Sequence, residues 1–150
     1  MSKPVLVHAT AIAIERDAVL LRGRPGAGKS DLALRLIDGG AHLVADDQVE
    51  LRRAGQHILV RSPDSIAGLL EVRGIGIVRV DALAEAPLTL LVDLVASATV
   101  ERLPEPRFEE ILGLAIPLIV LAAFEISAAA KVRLAAREFQ VAQLPVITGR

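Results

Sequence analysis

Short apolar runs bounded by polar turns recur along the first half of the chain, and each predicts a short element. Val5 to Val7 and Thr10 to Ile14 read as strand material ending at the polar turn Glu15-Arg16-Asp17, and Ala18 to Arg22 as a short apolar strand. From Lys29 to Asp38 the spacing changes: Leu32, Ala33, Leu36 and Ile37 fall on one helical face, and Gly39-Gly40 supplies the stop. His42 to Ala45 is apolar again and ends on Asp46-Asp47, which predicts a second buried strand. Together these pieces predict a β-loop-α-β unit with two parallel strands joined by a right-handed crossover.

Downstream, Val49 to Arg53 and Gln56 to Arg61 alternate around Ala54-Gly55 as a hairpin would, closed by Ser62-Pro63. A short helix from Pro63 to Leu69, capped by Ser62, follows. Val72 to Val80 reads as a strand whose Gly74 and Gly76 admit a close approach to the backbone, and Leu88 to Val95 as another buried strand. Leu103 to Arg107 is a loop, Ile111 to Ala122 is split by Pro117 into extended pieces, and Phe124 to Phe139 predicts an amphipathic helix.

Composition narrows the class. Hydrophobic residues make up 53% of the chain and aromatics 2%, so the core is built from Leu, Ile, Val and Ala, which favours an α/β layer fold. With no linker or repeat, residues 1–150 read as a single domain. Seventeen basic and 18 acidic residues are spread evenly, for a net charge of −1, which argues against a nucleic-acid partner. The chain has no Cys, so thiolate chemistry and Cys-ligated zinc are excluded. The apolar stretch Ile111 to Phe124 is 14 residues long, short of the roughly 20 a membrane helix needs. Only a few apolar residues precede the cleavage-like Ala9-Thr10-Ala11, below the ~7–15 of a signal core. A cytoplasmic protein without a membrane partner is expected. The apolar surplus for so small a unit predicts a homo-oligomer.

The chemistry centres on Gly23-Arg24-Pro25-Gly26-Ala27-Gly28-Lys29-Ser30, which satisfies G-x-x-x-x-G-K-[ST] at every fixed position. Such glycines let successive backbone N–H groups face phosphate oxygens, and the helix that begins at Lys29 points its positive end at them. Lys29 would reach the β- and γ-phosphates and Ser30 would offer a hydroxyl to Mg²⁺. Asp46-Asp47, at the carboxyl end of the next strand, lies on the same sheet edge and supplies one acid for Mg²⁺ and one to accept a proton. Asp93, after Leu88 to Val92, competes for the metal role, and pattern alone does not separate the two. Glu71 and Arg73, two apart, share one face of a strand and read either as a metal ligand with a phosphate contact or as an edge ion pair. His8 reads either as a hydrogen-bonded structural histidine or as a site residue.

Taken together, these residues resemble the catalytic domain of HPr kinase/phosphorylase. The likeness runs from about His8 to Pro117: a His fifteen residues before the phosphate loop, the loop itself, Leu43-Val44-Ala45-Asp46-Asp47, and Leu70-Glu71-Val72-Arg73-Gly74-Ile75-Gly76-Ile77. The resemblance implies a single P-loop kinase-like α/β domain with a largely buried mixed sheet flanked by helices, similar to the HPr kinase and phosphoenolpyruvate carboxykinase core. It implies ATP- and Mg²⁺-dependent phosphorylation of a serine on HPr, the phosphocarrier of the bacterial sugar phosphotransferase system, with reverse phosphorolysis yielding pyrophosphate in many members. Carried over, Asp46 is the general base with Asp47 in support. Ser30 and Glu71 hold Mg²⁺, Lys29 and the loop amides bind phosphates, and His8 sits beside the transferring group. A hexamer is the implied assembly, and a short single-domain form of the α-proteobacterial type the implied variant. One departure stands out: the family's P-x-R-x-G-R-N stretch is absent, and Ala122 to Arg133 reads AAFEISAAAKVR, where Lys131 is a candidate to replace the missing Arg.

Two other readings of the same loop are open at this point. One is a small-metabolite kinase, for which Leu103 to Phe108 is the available lid. The other is a nucleotide-dependent regulatory switch.

Overall fold

The computed structural model describes residues 3–139. Eleven strands and two helices follow one another as β1 (Val5–His8), β2 (Thr10–Ile14), β3 (Asp17–Arg22), α1 (Lys29–Asp38), β4 (His42–Ala45), β5 (Gln48–Ala54), β6 (His57–Arg61), β7 (Leu69–Val72), β8 (Gly76–Arg79), β9 (Glu85–Leu94), β10 (Arg107–Ile111), β11 (Leu114–Leu121) and α2 (Ala128–Glu138). A mixed nine-stranded sheet carries the chain in the order β1-β5-β6-β9-β3-β2-β4, with β11 also on β9 and β10 outside β11. Strand β9 is shared: Glu85–Pro87 pair with β6, Leu91–Leu94 run parallel to β11, and β3 follows it in parallel on the other side. The separate two-stranded β7-β8 hairpin lies outside this sheet.

Alternation along the central strands explains their apolar runs. Ile12, Val19, Leu21, Leu43, Leu90 and Val92 face one core with Leu32 and Leu36 of α1 and Val132 of α2. Their neighbours Ala11, Ala13, Leu20, Val44 and Leu91 face a second core with Val49, Ile58, Val60 and Ile116. Both faces are therefore buried, so these strands are apolar at nearly every position, with Thr10 and Thr89 as buried hydroxyls. Each fully buried Leu or Ile contributes about 1.5–3 kcal/mol.

Helix α1 ends as expected. Gly40, at φ +111°, lets its N–H reach the Ile37 carbonyl at 2.9 Å while the Ala41 N–H reaches that of Leu36 at 3.0 Å, the paired bonds of a Schellman stop. Arg133 of α2 adds a donor to the Arg35 carbonyl at 3.2 Å, tying the second helix to the end of the first.

Several expectations are corrected. Strands β3 and β4 do run in the same sense, but they are not neighbours: β2 lies between them, antiparallel to both. β2 pairs with β3 as a hairpin because Glu15 and Arg16, at φ 55° and 89°, make a tight turn of the kind that matches strand twist. Pro117 does not divide its segment. The turn sits at Leu112-Gly113 and β11 runs through the proline. With Ile111 opposite Leu114, Pro117 faces Phe108 at a non-hydrogen-bonded position of the β10 ladder, and the β9 ladder starts one residue later, at Leu118; neither side needs the missing N–H.

The helix expected over 63–69 is one 3₁₀ turn at Asp64–Ile66, and the Ser62 hydroxyl donates to the Pro63 carbonyl instead of capping it. Gly74 and Gly76 serve a turn: both have positive φ (93° and 117°), and open space surrounds the point where a Cβ would stand. The last helix starts at Ala128, four residues late, because the chain first makes the turns Glu125 N–H to Ala122 O and Ala128 N–H to Glu125 O. Arg107 and Phe108 belong to β10, so the segment considered as a lid is partly a sheet strand.

Candidate active site

The loop Gly23–Ser30 joins β3 directly to α1. Gly28 is the residue before the helix and stands at φ +101°, with its α-carbon so close to the β11–α2 connection that a Cβ would lie 2.7 Å from that of Ala123. Gly26, at φ +84°, takes a backbone conformation that L side chains rarely adopt, and open space lies around it. The Ala27 N–H closes a turn onto the Arg24 carbonyl at 2.9 Å. Lys29 is buried and its Nζ donates to the carbonyls of Gly23 and Arg24 at 2.7 and 3.2 Å, so its ammonium lies inside the curve of the loop. An open groove of ≈ 610 Å³ begins at Gly23 and Arg24 and is bounded by Asp93, Val95 and Thr99.

Asp46 meets this loop. Its Oδ1 accepts from the Ser30 hydroxyl at 2.8 Å and from the Thr10 hydroxyl at 2.9 Å, and its Oδ2 from the Glu71 backbone N–H at 3.3 Å. It is one of few buried charged residues among those described. Next to it, Asp47 holds φ at +74° with the Gln48 N–H bonded to the Asp46 carbonyl at 2.9 Å, a strained γ-turn that re-aims the chain between β4 and β5. The turn is held from the β1–β2 junction: the Ala9 N–H reaches the Asp47 carbonyl at 3.2 Å and His8 Nε2 lies 3.2 Å from Asp47 Oδ1.

Asp93 is engaged elsewhere. Arg22, the last residue before the loop, donates to Asp93 through Nε at 2.7 Å and Nη2 at 3.1 Å, and to Glu109 through Nη1 at 2.8 Å and Nη2 at 2.7 Å. One guanidinium thus ties β3, β9 and β10 together at the root of the loop. The hydrogen bond to Glu109, then the bonds and charge of Asp93, hold the Arg22 pKa well above its usual value against the opposing effect of burial. The Arg22 hydrogen bond, followed by its charge, holds the Glu109 carboxyl below the usual carboxylate range. Glu109 therefore contributes stability above its unfolded-state pKa and loses it as pH falls through its lowered folded value. We expect Glu109→Gln to lower the urea midpoint at neutral pH by a cost of up to about 1 kcal/mol. The gap from the parent should close as pH falls through the acidic carboxylate range, and a gap independent of pH would refute this role.

The remaining predicted residues separate. Glu71 brings its backbone N–H to Asp46 while its side chain is exposed on β7. Arg73 lies beyond the end of β7, in the exposed turn to β8, so the two do not share a strand face. Lys131 pairs with Glu125 at 3.4 Å. The Ser97 hydroxyl, donating at 2.7 Å, and then Lys131 hold the Glu125 carboxyl below its usual range. Sequence reasoning passed over Thr10 and Arg22. Thr10 had a visible signal, being the only hydroxyl in the apolar run Ala9 to Ile14.

A family model described as HPr Serine kinase C-terminal domain matches residues 1–144. The chain belongs to the HPr serine kinase C-terminal domain family. Among curated relatives, the HPr kinase/phosphorylase of Leptothrix cholodnii is 44% identical over 128 residues, covering 77% of this chain and 39% of that protein. The HPr kinase/phosphorylase of Bacillus cereus is 48% identical over 75 residues, covering 49% of this chain and 24% of that protein. The chain thus spans about two fifths or less of these relatives' length. The structure of the Hpr(Ser) kinase/phosphatase from Coxiella burnetii superposes with a TM-score of 0.80 at 27% identity, covering 89% of this chain and 95% of that one. The α/β fold with its mixed sheet is therefore that of the HPr serine kinases.

Proposed function

We propose that this chain is an ATP- and Mg²⁺-dependent protein-serine kinase whose substrate is HPr or a related phosphocarrier, with phosphorolysis by inorganic phosphate as the reverse reaction. The observation that carries the reading is the 2.8 Å bond between the Ser30 hydroxyl and Asp46, which joins the phosphate loop to a strand-end acid. A hydroxyl that donates its proton to a carboxylate keeps lone pairs for a cation. Ser30 and the Glu71 carboxylate would hold Mg²⁺, with phosphate oxygens and water completing a shell that needs few carboxylates. Bound Mg²⁺ would supply neutralisation of charge on the phosphates.

The protein's own groups do the rest. Loop amides and Lys29 hold the phosphates in line, and Arg73 on the hairpin turn offers a further phosphate contact. Asp46 Oδ2 takes the proton of the incoming seryl hydroxyl as that oxygen bonds to phosphorus. The bond from the γ-phosphorus to the bridging oxygen breaks, and ADP leaves with the electron pair. Asp47 and His8 flank this carboxylate as a linked pair.

In this reading the chain works as one catalytic domain in the cytoplasm, with neither nucleic acid nor membrane as partner; no helix among the described residues is long and apolar enough to cross a bilayer. Exposed Ile75, Ile77, Phe124 and Ile126 support a homo-oligomer, a hexamer by family likeness. Incubating purified HPr with the chain, ATP and Mg²⁺ should add one phosphate to a seryl residue by mass spectrometry. Unmodified HPr together with phosphorylation of a small metabolite would overturn the proposal.

A further inference from the structure

We infer that Thr10 is a positioning residue that divides the two oxygens of Asp46, anchoring Oδ1 so that Oδ2 is presented to the substrate hydroxyl; this rests on the kinase reading above. Thr10 opens β2 and is 1% exposed, while Asp46 is 7% exposed. A hydroxyl in so apolar a strand needs a partner, and its partner is Asp46 Oδ1 at 2.9 Å, the same oxygen that accepts from Ser30 at 2.8 Å. Oδ2 receives only the longer 3.3 Å contact from the Glu71 amide, which leaves it the oxygen with acceptor capacity to spare.

Position along the chain strengthens the case. His8, Ala9 and Thr10 are consecutive, and each reaches the Asp46-Asp47 pair: a ring nitrogen to one carboxylate, a backbone N–H to one carbonyl, a hydroxyl to the other carboxylate. Ser30 rides on the phosphate loop and Glu71 on the small hairpin, outside the main sheet. Thr10 is thus the donor to Asp46 that stands within the central sheet, at Leu21 of β3 and beside Ala11, which pairs with Ala45 of β4. A donor fixed in the sheet sets the carboxylate plane where a donor on a loop follows the loop.

The test is Thr10→Val, which keeps shape and branching but removes the hydroxyl, set against Thr10→Ser, which restores it. With ATP, Mg²⁺ and HPr, Thr10→Val should lose about tenfold in kcat, the scale of a modest misplacement, with both KM values and the thermal midpoint near the parent's. Thr10→Ser should recover most of that loss. In ligand-free crystals of Thr10→Val the Asp46 carboxylate should leave its position on Ser30 Oγ or split between two rotamers. An active parent with an equally active Thr10→Val, or a Thr10→Ser as impaired as Thr10→Val, overturns the inference. A parent that transfers no phosphate overturns the kinase reading instead. The crystals then decide the positioning role alone, and an unmoved Asp46 in Thr10→Val rejects it. If the valine variant folds poorly, Thr10→Ala must show the same split between kcat and KM and the same displaced carboxylate.

Discussion

Asp46→Asn should transfer phosphate to HPr about 10³-fold more slowly than the parent, within the range that loss of a positioned base produces. Asparagine keeps the shape of the side chain, and its carbonyl oxygen can still accept from Thr10 and Ser30, whose hydroxyls reach Oδ1 at 2.9 and 2.8 Å. At the Oδ2 position an NH₂ replaces the acceptor. It cannot take the seryl proton, and it faces the Glu71 N–H as a second donor. Affinity for ATP, carried by the loop and Lys29, should stay within about threefold by titration calorimetry. Rapid-quench transfer rates and calorimetry on the same preparation check both halves. Transfer within tenfold of the parent would remove Asp46 from the role of base. A regulatory switch would instead keep its control of the partner in this variant.

Lys29→Met should lower the transfer rate by about 10²–10³, the loss typical of one electrostatic group aimed at developing charge. The side chain is buried, so methionine keeps the packing of the stem and removes the ammonium that bridges the Gly23 and Arg24 carbonyls. Lys29→Arg should not rescue it, because a planar guanidinium cannot replace a compact ammonium inside a loop that closes onto it at 2.7 Å. Steady-state rates of both variants, with circular dichroism to verify folding, measure this. An arginine variant near parental activity would show that charge alone, rather than fit within the loop, is what position 29 supplies.

Much of the candidate site's geometry was readable from the chain because its parts are local. Gly26 and Gly28 are demanded by positive φ, Gly40 by the helix stop, and Asp46 follows a strand whose end is marked by its own change of polarity. Pairing was not readable, since strand partners are chosen by tertiary contact. The insertion of β2 between β3 and β4, and the passage of β11 through Pro117, depend on register with distant strands. The same reason hid the competition between acids. Asp93 and Asp46 both follow apolar runs, but only the fold shows that Arg22 occupies Asp93 while Ser30 reaches Asp46. Thr10 escaped because its partner lies 36 positions away, although a lone hydroxyl in a buried strand is itself a request for a partner.

Lys131 pairs with Glu125, which also accepts from the Ser97 hydroxyl, so these contacts form a surface link between the β11–α2 connection and the 97–99 turn.

The most direct test of the account is transfer of the γ-phosphoryl group from labelled ATP to purified HPr in the presence of Mg²⁺, with the parent chain, Asp46→Asn and a competent HPr kinase run in parallel. The account predicts label on a seryl residue of HPr with the parent and with the competent enzyme, and almost none with Asp46→Asn. An unlabelled carrier with the parent, beside a labelled one with the competent enzyme, would contradict it.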